Sequence, residues 1–577
     1  MMQKNGTISK LLFLWLCCIV TAGGFSQNID LENVTNSKDK KKVRINGGIS
    51  ANTTLFNSNE TTGRQPFTYQ LNGNVNLSFY ELLNIPLSLN LNNYGAKFAY
   101  PSLPNRLSLH PSYKWIRSHI GDISVSFSPY TLNGHQFTGG GVELTPGKWH
   151  FSAMGGRMLK RVDYNPEIPG LMPAYNRYGY GAKTRYNGNL FFVGGTFFAA
   201  KDRMEEISFV SDSLGIFPKR NVAMSIEGGI SIIQGLTLSA EYAVSVLTRD
   251  MRSAAIGQRD LIKKLFDQRE STSCYDAIKA NLTYTFHKNT IGVGYERISP
   301  QYETLGAYYF NNDYENITLN YARPLFNDKV NIALSGGVQK DDLDGEKQEK
   351  NKRLVGSVNF SFNPTERLNT SFSASTFQGH RNIKSQFDYI NELTPYDNLD
   401  TLNFTQITNS IDLNMNWNVV QKESVSQNLM VFASFQEAAD RQGEYILPGN
   451  LTRFLNASAM YGFDFTALNL NVNVGASISN NYSNQTNFLT LGPTLSAALK
   501  LLDKQLTTGI SLSCNQTKEE KRVLADIYNC RWNANYRFLK KHGLQASVLF
   551  QRKDVKNNEQ NKGTQSFTTM MSYFYNF

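Results

Sequence analysis

The stretch LNLNVNVGASI, residues 468–478, decides how the chain is read. Leu468, Leu470, Val472, Val474, Ala476 and Ile478 occupy one set of alternate positions. Asn469, Asn471, Asn473, Gly475 and Ser477 occupy the other. Successive side chains of a strand point to opposite faces, so a period of two describes an amphipathic strand and not a helix. FTYQLNGNVNLSF (67–79) and YNCRWNANYRF (528–538) repeat the pattern, as do the segments from Leu236 and from Val330. The alternation often runs for ten residues or more, beyond the usual ~5–6 of a globular strand. A tilted strand of about 9–11 residues crosses a bilayer.

The connections alternate in kind. Short ones, NG at Asn187, QG at Gln234, HKN at His287, FNDK at Phe326 and LKKHG at Leu539, are interleaved with long polar ones such as DYNPEIPGLMPAYN from Asp163 and residues 251–270. Transmembrane barrels have short turns on the periplasmic side and long loops outside. Counting hairpins gives about 26 strands (24–26), with both chain ends on the side of the short turns. The stretch 94–122, interrupted by Pro101, Pro104 and Pro111, is the least regular. The expected fold is all-β, a single large antiparallel transmembrane β-barrel over residues 43–577. Closure is required, because an open sheet edge in lipid leaves backbone groups without partners. No repeat of ~40 residues with blade signatures supports a propeller.

The chain begins MMQKNGTISKLLFLWLCCIVTAGGFSQ. Lys4 and Lys10, the apolar run 11–21 and the small Gly23, Gly24 and Ser26 have the layout of a signal peptide over residues 1–26. The run is shorter than the ~20 residues of a spanning helix. Bulky Trp15 and Leu16 ahead of Cys17 and Cys18 argue against lipid attachment. Residues 27–42 then form a short polar periplasmic extension. Beyond the signal only Cys274, Cys514 and Cys530 remain, so no disulfide framework is expected. Cys514 and Cys530 fall on neighbouring strands in the lipid-facing register, where a disulfide and two separate small side chains both fit.

The chain ends SFTTMMSYFYNF (566–577), with Phe567, Tyr573, Tyr575 and Phe577 on one face. This resembles the outer-membrane β-barrel proteins of Gram-negative bacteria, which commonly end on an aromatic in an alternating last strand. The resemblance implies that Tyr573, Tyr575 and Phe577 serve recognition by the barrel-assembly machinery and an aromatic girdle in outer-membrane lipid. Residues 101–158, from PSLPNRLSLHPSYKW to AMGGRM, are similar to a stretch of large uncharacterised exported barrels of the Bacteroidota, which carries no assigned chemistry. TonB-dependent transporters place a plug ahead of the barrel. The roughly fifteen polar residues after the signal are too few for one, so no plug of its own is expected.

Several motifs invite a chemical reading. GVELTPGK (141–148) has the spacing of a phosphate-binding loop, but Trp149 stands where Ser or Thr would hold magnesium, and a hairpin turn is expected. His110, His119, His135, His150, His287, His380 and His542 show no metal-ligand spacing, and no nucleophile elbow is present. No enzyme, cofactor or metal is therefore expected; a lipid hydrolase assembled across strands is the less favoured alternative. DDLDGE (341–346) misses the EF-hand pattern and reads as a solvated turn.

The net charge of +11 is not gathered with aromatics on one platform, which speaks against nucleic acid. Lys183, Arg185, Glu241, Lys279, Glu296, Arg531 and Arg537 fall on polar faces. They are candidates to line the lumen and bias which ions pass, with mutual pairing as the other reading. Residues 254–268 and 382–393 have helical apolar spacing and would cover the lumen, meet a partner or lie on the rim. Barrels of 16–18 strands already leave an aqueous channel, so this lumen needs narrowing by loops, a polar network or a partner. Two functions follow: a porin-like channel for small polar solutes, or a non-enzymatic structural or assembly barrel that docks a lipoprotein or periplasmic protein.

Overall fold

Residues of alternating polarity carry complete backbone hydrogen-bonding groups on both strand edges, and such strands pair until no edge is left. The computed structural model shows this pairing. It describes residues 43–577 except 61–64, 81, 94–105, 165–172, 205–214, 257–267, 309–310, 346–351, 378, 383–403, 443–444, 484 and 557–561. The expected signal peptide and polar extension lie outside the described residues, as do most of 254–268 and 382–393.

One antiparallel sheet of 28 segments runs through the described chain. Arg106–Leu109 and Ser112–Tyr113 are two halves of one broken strand, since both pair with Leu83–Asn92 and Ile116–Ser124. Leu368–Ser375 and Gly379–Asn382 likewise share Phe404–Gln421. The barrel therefore has 26 strands, as the hairpin count predicts. Val43–Ser58 closes it against Lys562–Asn576, Gly48 opposite Asn576 through Ser58 opposite Ser566. The last residue takes part: Phe577 N donates to Gly47 O at 3.0 Å and Gly47 N to Phe577 O at 3.3 Å.

The outward set is apolar and exposed, including Ile226, Ile317, Leu319, Val474, Ile510 and Met571. At the end carrying the short turns, aromatics two apart on one strand meet ring to ring: Trp149 and Phe151 at 5.5 Å, Tyr284 and Phe286 at 5.1 Å, Tyr461 and Phe463 at 5.0 Å, and Tyr575 and Phe577 at 5.6 Å. His542 joins the band through Tyr575 at 4.6 Å and a 2.7 Å hydrogen bond to the Tyr573 hydroxyl. Such belts sit at membrane interfaces, where an apolar ring with a polar edge is best placed.

Two expectations need adjusting. Leu468 lies in the turn before the strand Leu470–Ser483, so the strand starts two residues later than its alternation. The turn at 341–345 is not solvated throughout. Asp342 is buried, and Leu343 N donates to Asp313 Oδ1 at 2.9 Å. The alternation of long loops and short turns also fades toward the end of the chain. The strands from Phe404 onward run 14–21 residues, and Leu506–Glu519 and Arg522–Phe538 are joined by two residues at the loop end.

GVELTPGK is a hairpin turn between Gln136–Leu144 and Trp149–Leu159, with Gly147 at φ +60°. Cys274, Cys514 and Cys530 are free and exposed. Cys514 stands opposite Tyr528 and Cys530 opposite Leu512, one diagonal apart.

Two turn glycines separate backbone strain from clash. Gly235 has φ +86°, and a Cβ there would lie 2.1 Å from Thr285 O, whereas a Cβ on Gly147 would meet nothing within 4 Å. Gly147→Ala should cost about 1 kcal/mol, the left-handed penalty alone. Gly235→Ala should cost clearly more, about 2–3 kcal/mol, since the turn must also shift. Urea unfolding of the two variants in lipid vesicles checks the order.

Candidate functional site

Strand register brings distant charges together on the inner wall. His150 stands opposite Arg185, and Gly194 stands opposite both Arg185 and Glu227. Glu227 faces Glu241, Glu241 faces Lys279, and Lys279 faces Glu296. The row continues through Asn316 to Gln339. Like charges directly opposite destabilise a sheet pair, so Glu227 and Glu241 require compensation. Glu227 Oε1 has Lys183 Nζ at 3.0 Å and Arg185 Nη1 at 3.6 Å. Gly194 makes room for this contact, because a Cβ there would lie 2.9 Å from Glu227 Oε1. Lys279 Nζ reaches Glu296 Oε1 at 3.5 Å.

What compensates Glu241 is a segment that leaves the wall. After Ile116–Ser124 the chain does not cross directly to Gln136–Leu144; residues 125–135 turn inward. Pro129 fits the tight turn Ser128–Thr131, closed by Thr131 N to Ser128 O at 3.2 Å and Phe127 N to Leu132 O at 2.8 Å. Ser128 Oγ donates to Glu241, Tyr130 Oη donates to Glu296 Oε1 at 2.5 Å, and Lys183 Nζ donates to Phe127 O at 2.6 Å. The belt holds this wedge by charged hydrogen bonds, which are stronger than neutral ones.

Apolar packing holds it as well. Val125, Phe127 and Leu132 pack with Phe137, Met154, Met158, Phe198, Ala200, Ala223, Leu247 and Leu305. The strand residues here face inward, so along this wall the inner face also carries apolar side chains, among buried polar ones such as Asn221 and Ser245. That departs from the expected polar lining, and the reason is that the wedge excludes water from it. A second inward loop, residues 299–308, seals the first. Leu132 bridges to Gly306, Tyr302 Oη donates to Tyr130 O at 2.7 Å, and Thr304 Oγ1 donates to Thr131 O at 2.6 Å. Asn221 Oδ1 accepts from Leu305 N at 3.1 Å. Gly306 permits the approach, since a Cβ there would lie 2.3 Å from Thr131 O.

The wedge holds two perturbed groups. Burial, reinforced by the Glu296 carboxylate, pushes the Tyr130 phenol well above its ordinary value, so it stays a donor. Burial takes His135 down to about 4; its hydrogen bond to Gln136 O opposes the shift and nearby Arg177 adds to it. Neutral His135 stacks on Tyr308 with ring centroids 4.1 Å apart.

The inner wall formed by the later strands is not covered in this way by the described residues. A cavity of about 840 Å³ is lined by Ser458, Ser477, Ser511, Asn529, Arg531 and Asn533 among others. Several amides and hydroxyls on and beside this lining bond one another: Asn473 Nδ2 to Ser496 Oγ at 3.2 Å, Gln551 Nε2 to Asn529 Oδ1 at 3.0 Å and Ser547 Oγ to Asn533 Oδ1 at 2.7 Å.

Five of the seven sequence candidates, Lys183, Arg185, Glu241, Lys279 and Glu296, thus lie on or beside one belt. Arg531 lies on the wall of the later strands, and Arg537, opposite Gly543, lies nearer the short turns. Tyr573 and Tyr575 lie in the closing strand, with Phe577 paired beyond its end. The wedge itself escaped sequence reading. Its one signal was that Ile123, Val125 and Phe127 continue the alternation past the strand's end.

No protein-family model matches the chain, and no curated protein sequence matches it. Among solved structures it aligns with the translocation pore of the P pilus usher PapC at 10% identity and TM-score 0.42, over 92% of this chain and 99% of that one. It also aligns with the ferric enterobactin receptor PfeA of Pseudomonas aeruginosa (10%, TM-score 0.39, 92% and 80%) and the iron transporter FrpB of Neisseria meningitidis (11%, TM-score 0.35, 95% and 83%). These values are too low to carry anything about function.

Two outcomes test the wedge. Phe127→Ala should destabilise the barrel by about 3–4 kcal/mol if Phe127 is core, as for other buried Phe→Ala changes, read by urea unfolding in vesicles. The His135 value in the folded chain lies below the unfolded 6.5, so its stabilisation is complete above pH 6.5 and is lost as pH falls toward about 4. Thermal midpoints should therefore fall across that window, by an amount set by about 3 kcal/mol, and the fall should flatten in His135→Phe.

Proposed function

We propose that the protein is an outer-membrane channel for small polar solutes, with a lumen narrowed by its own 125–135 wedge. The observation that carries this reading is the asymmetry of the inner wall. One side is filled by a segment pinned to a charged belt, while along the other the described residues leave a cavity lined by Ser, Asn and Gln side chains and Arg531 together with apolar Phe432, Met460 and Leu549. A barrel of 26 strands without such a filling would leave a hole wider than a porin's. The wedge reduces the passage, and the other wall offers passing solutes hydrogen-bond partners in place of water.

The apolar outer face, the aromatic band and the closed sheet support residence in the outer membrane, with the short turns on the periplasmic side. In this reading the terminal Tyr573, Tyr575 and Phe577 serve assembly, and no reaction is catalysed. Arg531 biases the open path toward anions, while the belt carboxylates are engaged by Lys183, Lys279 and the wedge.

Single-channel recording in planar bilayers tests the reading. The wild-type chain should give small, stable openings. Replacing residues 126–134 by a Gly-Ser linker should enlarge them several-fold. Arg531→Glu should move the reversal potential toward cation selectivity with little change in conductance. Silence of both the wild-type and the linker protein in a folded, inserted state would overturn the channel reading in favour of a barrel that docks a lipoprotein or periplasmic partner.

A further inference from the structure

Two histidines that look unrelated in the sequence meet inside the barrel. His110 sits in the break between Arg106–Leu109 and Ser112–Tyr113. Leu109 pairs with Ile120 and Ser112 with Arg117, so His110 and Pro111 stand against Ser118 and His119 outside the regular ladder. The irregularity is fastened by His110 N to Pro86 O at 2.9 Å and Ser118 N to Pro111 O at 2.8 Å. Breaks of this kind re-aim side chains. Here the break brings His110 Nδ1 to 2.8 Å from His119 Nδ1, the rings edge to face at 68°. Both outer nitrogens have polar neighbours. His110 Nε2 lies 3.1 Å from Ser108 Oγ, and His119 Nε2 lies 3.5 Å from Glu143 Oε1.

We propose that His110 and His119 bind one divalent transition-metal ion of the copper(II) or nickel(II) class through their Nδ1 atoms, with water completing its shell. Metal-bound imidazoles almost always present the second ring nitrogen to a carboxylate or other polar acceptor. Glu143 and Ser108 stand at those two positions. Imidazole nitrogens bind such ions at ~2.0–2.1 Å, so a separation of 2.8 Å corresponds to an angle near a right angle at the metal. Right angles belong to octahedral and tetragonal ions, not to tetrahedral zinc.

Without an ion the two rings share one hydrogen bond. With His119 carrying its proton on Nε2, toward the Glu143 carboxylate, His110 Nδ1–H donates to His119 Nδ1 and the Ser108 hydroxyl donates to His110 Nε2. His119 Nε2–H is then left facing Glu143 beyond hydrogen-bond reach, and that nitrogen is buried without a hydrogen-bond partner. An ion takes both Nδ1 lone pairs once the proton on His110 moves from Nδ1 to Nε2, where the Ser108 oxygen accepts its hydrogen bond, and the two rings turn so that the lone pairs leave the Nδ1···Nδ1 line and converge on the ion. Both rings remain neutral, and no net proton is released.

Glu143 is behind His119 and is shared with Arg117, whose Nη1 is 3.9 Å away, so it is no third ligand. Among the described residues no group of three or more His, Cys, Asp and Glu converges. With two protein ligands the ion stays exchangeable and keeps positions open to water or to a chelating solute in the lumen.

The test uses the full chain without a polyhistidine tag, folded in detergent and titrated with copper(II) chloride under electron paramagnetic resonance. One saturable site with splitting from two nitrogens is expected. His110→Ala and His119→Ala should each weaken binding by about a hundredfold or more, and Glu143→Gln by about tenfold. His287→Ala and His542→Ala should leave it unchanged. Heat-shifted gel migration reports whether each variant folds; if an alanine variant does not, His119→Gln and Glu143→Gln decide. Absence of a saturable two-nitrogen signal in the wild type, or an unaltered signal in folded His119 variants, would overturn the site and leave the histidines as a hydrogen-bonded contact.

Discussion

A backbone group in hydrocarbon has no water to bond, and this shapes the whole molecule. It allows no free sheet edge, so Val43–Ser58 has to find Lys562–Asn576 across more than five hundred residues. The pairing extends to Phe577, whose backbone both gives to and takes from Gly47. A ring of antiparallel strands closed in this way has an even number of members, and the two broken strands respect that parity. The aromatic band at the short turns sits where apolar lipid gives way to water, and His542 and Tyr573 use their polar edges there.

Closure also creates a difficulty, because a ring of this size encloses more space than side chains can fill. Among the described residues, the fold answers along one wall. Between Ile116–Ser124 and Gln136–Leu144 the chain detours inward, and Phe127 and Leu132 occupy the lumen as a core residue would occupy a soluble domain. The detour exposes polar backbone in a dry place. Its Phe127, Tyr130 and Thr131 carbonyls are met by Lys183, Tyr302 and Thr304, and its Ser128 and Tyr130 hydroxyls by Glu241 and Glu296. Charges that would repel along the wall become the anchors of the wedge. The belt and wedge therefore form one unit, and loosening either frees the other.

The opposite wall follows a different rule. Its strands are longer and joined by tight turns, and several of its inner amides and hydroxyls bond one another along the sheet, while Asn535 Oδ1 is buried without a hydrogen-bond partner. Nothing in the described residues covers them.

The sequence by itself determined the strand period, the large closed barrel and its strand count. These follow from alternation, which is local and can be read two residues at a time. Leu468–Ile478 suffices to show the face, although the strand itself starts at Leu470. Tertiary structure alone decided which residues meet. Register across six strands is needed to bring Arg185, Glu227, Glu241, Lys279 and Glu296 into one belt. A strand break is needed to bring His110 to His119, and no spacing rule encodes it. The wedge was hidden for the same reason. Its residues alternate like a strand's, and only the inner wall they find, apolar at Phe198 and Leu247, distinguishes a segment that fills the barrel from one that continues its wall.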